Sequence, residues 1–322
     1  MKALLLLVLI VFMASASTAQ TSRRDSANSY LERGNQWLKK DEVERAIEDF
    51  TFAVSFDPML DQAYFNRGIA RERKGDSEEA LNDYGKALQL NTKNVEAYLS
   101  RGVLLIKLAD YKNALHDFDQ VIALNARDVR AWVNRGIANH YSANYNAALN
   151  DFSHAIKLDP KEAGTWAARG DARLQQNDLD GAAADCQQAL KLDSHNVIAL
   201  HTRGNVWLQK KELMRALTDF TRAIELAPQQ DYLFLSRSRA WLEQKNLEAA
   251  MKDLEQSLKL NPRRAEGYIY RAATYLMLGK STEAEEDLTR FRELGGVMKP
   301  ELEQLIRAAQ QRQSGRRKQE EF

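Results

Sequence analysis

The sequence predicts an all-α solenoid: eight helix-turn-helix repeats of 34 residues, closed by a C-terminal capping helix. Two observations predict it. Arg-Gly recurs at Arg33-Gly34, Arg67-Gly68, Arg101-Gly102, Arg135-Gly136, Arg169-Gly170 and Arg203-Gly204, always 34 residues apart. Self-similarity at a fixed period of about 20 to 50 residues marks stacked supersecondary units. Within each period the apolar residues fall at helical spacing, as at Phe118, Val121 and Ile122, and a polar break such as KKDEV or KGDSEE divides it midway.

The first segment, residues 1–19, stands apart from the repeats. Lys2 supplies a charged start, Ala3 to Met13 an apolar run, and Ala14 to Ala19 the small residues at which a signal peptidase cuts. In helical form that run spans about half of a ~30 Å hydrocarbon core. The expectation is therefore a signal peptide cut near Ala16 or Ala19. The exported chain is then periplasmic or secreted, with no stable membrane anchor after cleavage.

The repeats begin at 27, 61, 95, 129, 163, 197, 231 and 265 and run to 298 without an insertion. Position 4 is mostly aromatic, from Tyr30 and Tyr64 to Tyr268. Position 8 is small, Gly in six repeats and then Ser238 and Ala272. Position 20 is Ala throughout, from Ala46 to Ala284, and position 24 is large in most, as in Phe50, Tyr84 and Phe118. A small residue at 8 facing Ala at 20 lets the two helices approach closely, with the ring at 24 filling the gap toward the next repeat. A single hairpin cannot bury its apolar face, so stability comes from stacking. After Gly295-Gly296, Pro300 opens an amphipathic stretch with Leu302, Leu305, Ile306 and Ala309 on one face, expected as the capping helix over 300–313. A flexible charged tail is expected over 314–322.

Composition removes several functions. The 46 basic and 45 acidic residues leave a net charge of +1, too little to steer the chain to nucleic acid. The single cysteine, Cys186, has no partner for an internal disulfide and reads as a small core residue. The five histidines are not at metal-ligand spacing, so no metal is expected. No phosphate-binding glycine loop or nucleophile turn interrupts the repeats. Neither a cofactor nor an enzymatic activity is expected, since catalysis needs an asymmetric constellation that a regular array lacks.

A 34-residue hairpin with an aromatic at 4, Gly at 8, Ala at 20, an aromatic at 24, Ala at 27 (Ala53, Ala87, Ala155) and Pro at 32 (Pro58, Pro160, Pro228, Pro262) resembles the tetratricopeptide repeat. The resemblance covers residues 27 to 298. It implies a right-handed superhelix that holds a protein or peptide partner in a concave groove, with positions 2, 5, 6, 9, 12 and 13 facing the ligand. On that mapping Phe65, Ile69, Leu99, Val103, Val133 and Ile137 form an apolar ladder, with Asn66 and Asn134 at its margin to bond a peptide backbone. The same residues also fit a plain packing role. The family's clamp for the acidic termini of cytosolic heat-shock chaperones is not reproduced, because Leu31, Glu96 and Ser100 stand where cations belong. An alternative is a glycan-binding module using His140, Tyr141, Tyr232 and Tyr270.

One charge pattern repeats with the frame. Position 7 is Arg in every repeat and position 23 is Asp in every repeat, including Arg67 with Asp83, Arg101 with Asp117 and Arg135 with Asp151. A catalytic pair is needed once, whereas a structural one is needed at each step of a stack. The expectation is a frame of ion pairs between first and second helices, either within a repeat or across to the next.

Overall fold

The computed structural model describes the backbone of residues 2–320 and the side chains of 20–300 and 302–311. The segment expected as a signal peptide and the charged tail at 314–322 lie outside the described side chains. Among the described residues every regular element is a helix, and no helix is long and apolar enough to cross a membrane.

The chain divides into two compact units. The first holds four hairpins: α1 (Lys2–Lys39) with α2 (Val43–Phe56), α3 (Asp61–Lys74) with α4 (Ser77–Leu90), α5 (Val95–Lys107) with α6 (Tyr111–Leu124), and α7 (Val129–Tyr141) with α8 (Tyr145–Leu158). The second holds α9 (Ala163–Gln175) with α10 (Leu179–Leu192), α11 (Val197–Gln209) with α12 (Leu213–Leu226), α13 (Asp231–Glu243) with α14 (Leu247–Leu260), and α15 (Ala265–Met277) with α16 (Ser281–Glu293). The last element is α17 (Pro300–Glu320). Within each unit a first helix packs on the second helix of its own repeat and on the first helix of the next. Leu302, Ile306 and Ala309 of α17 join the core with Leu276, Met277 and Phe291, so the capping helix covers the last hairpin.

The close approach inside a hairpin has a further cause. The ring at position 24 shares a core cluster with residues of the next repeat, Phe50 with Ala70 and Phe220 with Ala240, and it also lies over the position-8 glycine of its own repeat. A Cβ on Gly34 would sit 2.5 Å from Phe50, on Gly102 2.7 Å from Phe118, and on Gly136 2.6 Å from Phe152. Glycine is needed there because ring and backbone share the space a methyl would take. In the fifth repeat Cys186 replaces the ring, and its Sγ would be 2.9 Å from a Cβ on Gly170. Burial pushes the Cys186 thiol up to about 12, so the residue packs as an apolar atom and not as a nucleophile.

The turn between the helices of each repeat places position 15 in the left-handed region. Its φ is 95° at Gly75 and 84° at Gly279, and also 61° at Asp41, 59° at Ala109, 61° at Ala143, 61° at Asn177, 60° at Lys211 and 65° at Lys245. Only two of these are glycine, so most repeats carry a side chain where one is disfavoured. In three places successive repeats are tied by the same bond, from the aromatic at position 4 to the carbonyl at position 32 of the repeat before. Trp132 Nε1 donates to Ala126 at 2.9 Å, Trp166 Nε1 to Pro160 at 3.0 Å and the Tyr268 hydroxyl to Pro262 at 3.0 Å.

Candidate functional site

The eight Arg-Asp pairs all close within a repeat, sixteen residues apart: Arg33–Asp49, Arg67–Asp83, Arg101–Asp117, Arg135–Asp151, Arg169–Asp185, Arg203–Asp219, Arg237–Asp253 and Arg271–Asp287. Each is a fork: in Arg101, Nε donates to Asp117 Oδ2 at 2.8 Å and Nη2 to Oδ1 at 2.6 Å. That hydrogen bonding raises the Arg101 guanidinium further against the opposing effect of burial. The carboxylates are buried, whereas the guanidiniums keep an edge in solvent, most of all Arg33 in the first repeat.

Position 11, which the sequence does not single out, supplies a further donor to the same carboxylate in five repeats. These are Trp37, Arg71, Asn139, Arg173 and Trp207. The guanidinium also spans two repeats: Arg67 reaches Thr51, Arg135 reaches Asp119 and Arg237 reaches Thr221, each at position 25 of the repeat before. Its flat face lies over the position-4 ring, at 4.7 Å for Arg135 on Trp132 and 4.9 Å for Arg169 on Trp166. The pairs thus hold the two helices of each repeat together, and through Arg67, Arg135 and Arg237 they also join successive repeats.

The positions that the resemblance implies face a ligand carry the candidate site. On the first helices of repeats two to four a depression of about 300 Å³ is lined by Glu72, Glu96, Leu99, Ser100, Val103, Arg130 and Asn134. These residues occupy positions 2, 5, 6, 9 and 12 and no others. Leu99, Val103 and Asn134 are among the residues expected from sequence; Glu72, Glu96, Ser100 and Arg130 are not, because a charge or hydroxyl in one repeat breaks no pattern.

The apolar ladder itself is mostly packed away. Phe65 and Leu99 are buried in the core cluster that contains Tyr84, Phe118 and Val121, and Ile69 and Val103 pack against it. Val133 and Ile137 are half-buried. The two asparagines separate. Asn66 is buried, accepts from Gln62 at 3.0 Å and donates to Asn35 at 2.6 Å, so its amide joins repeats one and two. Asn134 is half-buried with no hydrogen bond among the described residues, and its amide opens on the depression.

The charges around the depression are paired. Arg130 forks onto Glu96 at 2.7 and 3.0 Å and also holds Asp128 at 2.7 Å, which keeps the Asp128 carboxyl below its usual range. Lys107 holds Glu72 at 2.7 Å, and Glu72 accepts from the Tyr84 hydroxyl at 2.9 Å. Burial, with that carboxylate, raises the Tyr84 phenol above its ordinary range. A depression with paired charges and one free amide suits main-chain hydrogen bonding more than recognition of a single charge sign.

In the second unit the same positions are differently filled. His201 at position 5 is half-buried, and its Nε2 lies 2.9 Å from Ser236 Oγ in the next repeat and 3.1 Å from Asn205. Burial pushes the imidazole down to about 4, opposed by Asp171 and assisted by Arg239. The serine and imidazole are both on helices and link repeats six and seven. Among the residues named for a glycan, Tyr141 is 62% exposed and stacks on Tyr111 at 6.0 Å, with His140 edge-on to it at 5.7 Å. Tyr232 packs on His201 at 5.0 Å, and Tyr270 lies under Arg239 at 5.7 Å. Among the described residues no group of three or more His, Cys, Asp or Glu is placed to hold a metal ion.

Family profiles described as TPR repeat and Tetratricopeptide repeat match residues 73–109, 99–140, 141–197, 235–264 and 254–286. No curated protein matches the chain significantly. Among solved structures, a tetratricopeptide repeat protein from Parabacteroides merdae ATCC 43184 is similar with TM-score 0.65 at 20% identity, over 74% of this chain and 94% of that one. A chain of the APC/C hetero-tetramer Cut9-Hcn1 is similar with TM-score 0.67 at 15% identity, over 87% of this chain and 55% of that one. The pilF protein of Pseudomonas aeruginosa is similar with TM-score 0.57 at 16% identity, over 69% and 99%. At these identities the likeness is one of fold.

Proposed function

This chain belongs to the tetratricopeptide repeat family, and on that premise we propose that it is a non-catalytic scaffold holding a protein or peptide partner on the first helices of repeats two to four. The carrying observation is the depression between Glu72, Ser100, Val103 and Asn134, built only from positions 2, 5, 6, 9 and 12. Its apolar floor from Leu99 and Val103, with the free Asn134 amide beside it, fits an extended segment that offers one aliphatic side chain and its main-chain carbonyl. The ion-pair frame fixes these helices beforehand, so little ordering cost falls on binding.

We place this work in the bacterial envelope, a reading supported by the charged start, apolar run and small residues of 1–19. A mature chain that begins after Ala16 or Ala19 by mass spectrometry is the expected result; a retained segment contradicts it. The glycan reading rests on the exposed Tyr141 stacked on Tyr111, a platform of the kind that meets sugar rings.

The scaffold reading is tested by filling the depression. Ser100→Trp with Asn134→Trp occupies it from two half-buried positions. The polypeptide captured by the wild-type protein from an envelope extract, identified by mass spectrometry, is then lost while the melting temperature holds. Capture that survives the plug contradicts the proposed face, and competition by soluble glycan in place of peptide favours the other reading.

A further inference from the structure

The second unit contains a pocket built from positions 6, 9, 12, 13 and 15 of repeats six to eight and closed on one side by α17. It is floored by Leu208 on α11, Leu242 on α13, Met277 on α15 and Leu305 on α17, with a volume of about 460 Å³. The helix that covers the end of the stack therefore also forms one wall of a cavity over the first helices of repeats six to eight.

The charge at its mouth is one-sided. Lys211, Arg239 and Lys245 stand on the rim with a single acid, Glu243, which Lys211 already holds at 2.9 Å. Arg239 and Lys245 are exposed and make no ion pair among the described residues, the Arg239 guanidinium lying 5.7 Å from the Tyr270 ring. Lys211 and Lys245 occupy position 15 at φ 60° and 65°, the left-handed conformation that Gly75 and Gly279 adopt without a side chain to clash. Two successive repeats thus place a long cation at a disfavoured backbone site, and both cations edge the same pocket.

We propose that this pocket binds a short acidic peptide segment, one aliphatic side chain seated on the floor and flanking carboxylates held by Arg239 and Lys245. The inference rests on the scaffold reading and names a second, chemically distinct contact for it. The aliphatic floor together with cations on the rim selects a ligand that is apolar and anionic over a few residues, which a peptide supplies. A nucleic acid supplies phosphates without an aliphatic group, and the chain's net charge of +1 gives it no field to draw one.

The test uses the full chain and two short fluorescein-labelled peptides, one alternating glutamate with leucine and one with glutamine in place of each glutamate, followed by fluorescence anisotropy. The wild-type protein is expected to bind the acidic peptide at least about tenfold more tightly than its isostere. The double variant Arg239→Glu/Lys245→Glu, altered at exposed positions, is expected to lose that preference with its melting temperature unchanged. Equal binding of the two peptides, no binding of the acidic one, or a preference that survives the double variant overturns the proposal. Displacement of the peptide by a short oligothymidine reassigns the site to phosphate and also overturns it. Any of these results with partner capture still sensitive to Ser100→Trp removes the pocket and leaves the scaffold reading standing.

Discussion

Arg135 grips Asp151 in its own repeat through two hydrogen bonds, Nε to Oδ2 at 3.1 Å and Nη2 to Oδ1 at 2.6 Å, while its third arm reaches Asp119 of the repeat before at 2.6 Å. Asn139 donates to the same Asp151 carboxylate at 2.9 Å. One guanidinium therefore joins the two helices of a hairpin and two successive hairpins. Asp151→Asn removes the buried negative charge and replaces one of the two oxygens that accept from Arg135 with an NH2, and the expected loss is about 3 kcal/mol, at the low end for a broken buried pair. Asp49→Asn is expected to lose less, because Arg33 is already 54% exposed. Urea denaturation of the two variants checks the order.

The glycine at position 8 makes a second, steric prediction. Gly136→Ala puts a methyl 2.6 Å from the Phe152 ring, and Gly170→Ala puts one 2.9 Å from the single Cys186 sulfur. The first is expected to cost about 1 to 3 kcal/mol through overpacking, the second less. Equal losses in thermal denaturation contradict the ring-on-glycine account.

Position 15 predicts a gain. Ala143 has φ 61°, a conformation costing a residue with a Cβ about 1 to 2 kcal/mol. Glycine removes that cost and gives back about 0.5 to 1 kcal/mol in unfolded-chain entropy. Ala143→Gly is therefore expected to raise stability slightly, and Gly75→Ala to lower it; the two melting temperatures moving the same way contradicts this.

His201 predicts a pH dependence. Its folded pKa of about 4 lies below the ordinary value of 6.5, so the native state prefers the neutral ring. As pH falls through 6.5 the unfolded chain takes a proton that the native chain refuses, and stability is lost down to about pH 4. The full effect is about 3 kcal/mol. It is set by burial, with Asp171 opposing and Arg239 adding. His201→Gln is expected to flatten the denaturation midpoint between pH 7 and 4; an unchanged slope contradicts the assignment.

The frame was legible in the sequence because its residues recur: Arg at 7, Gly at 8 and Asp at 23 are fixed by contacts that each repeat must make. Which Asp a given Arg takes was not legible, since the carboxylate in its own repeat and the one in the repeat before are at similar chain distances. The turn at position 15 was hidden because a left-handed residue shows itself in sequence only as glycine, and Ala109, Lys211 and Lys245 give no such mark. The candidate site was half legible. The family's ligand-facing positions located Leu99, Val103 and Asn134, but whether a side chain there lies open or buried depends on the neighbouring helix. Phe65 packs at 5.9 Å against the Tyr84 ring of its own repeat, and Asn66 is taken up by Asn35.

The central claim is that the first helices of repeats two to four hold a polypeptide. The most direct measurement places a photo-crosslinking amino acid at Ser100, at Asn134 and, as a control, at the exposed Lys112 on α6, in the cell that makes the protein. Adducts of one defined polypeptide from Ser100 and Asn134, and none from Lys112, are the predicted result. Adducts from Lys112 alone, or no polypeptide adduct from either groove position, contradict it.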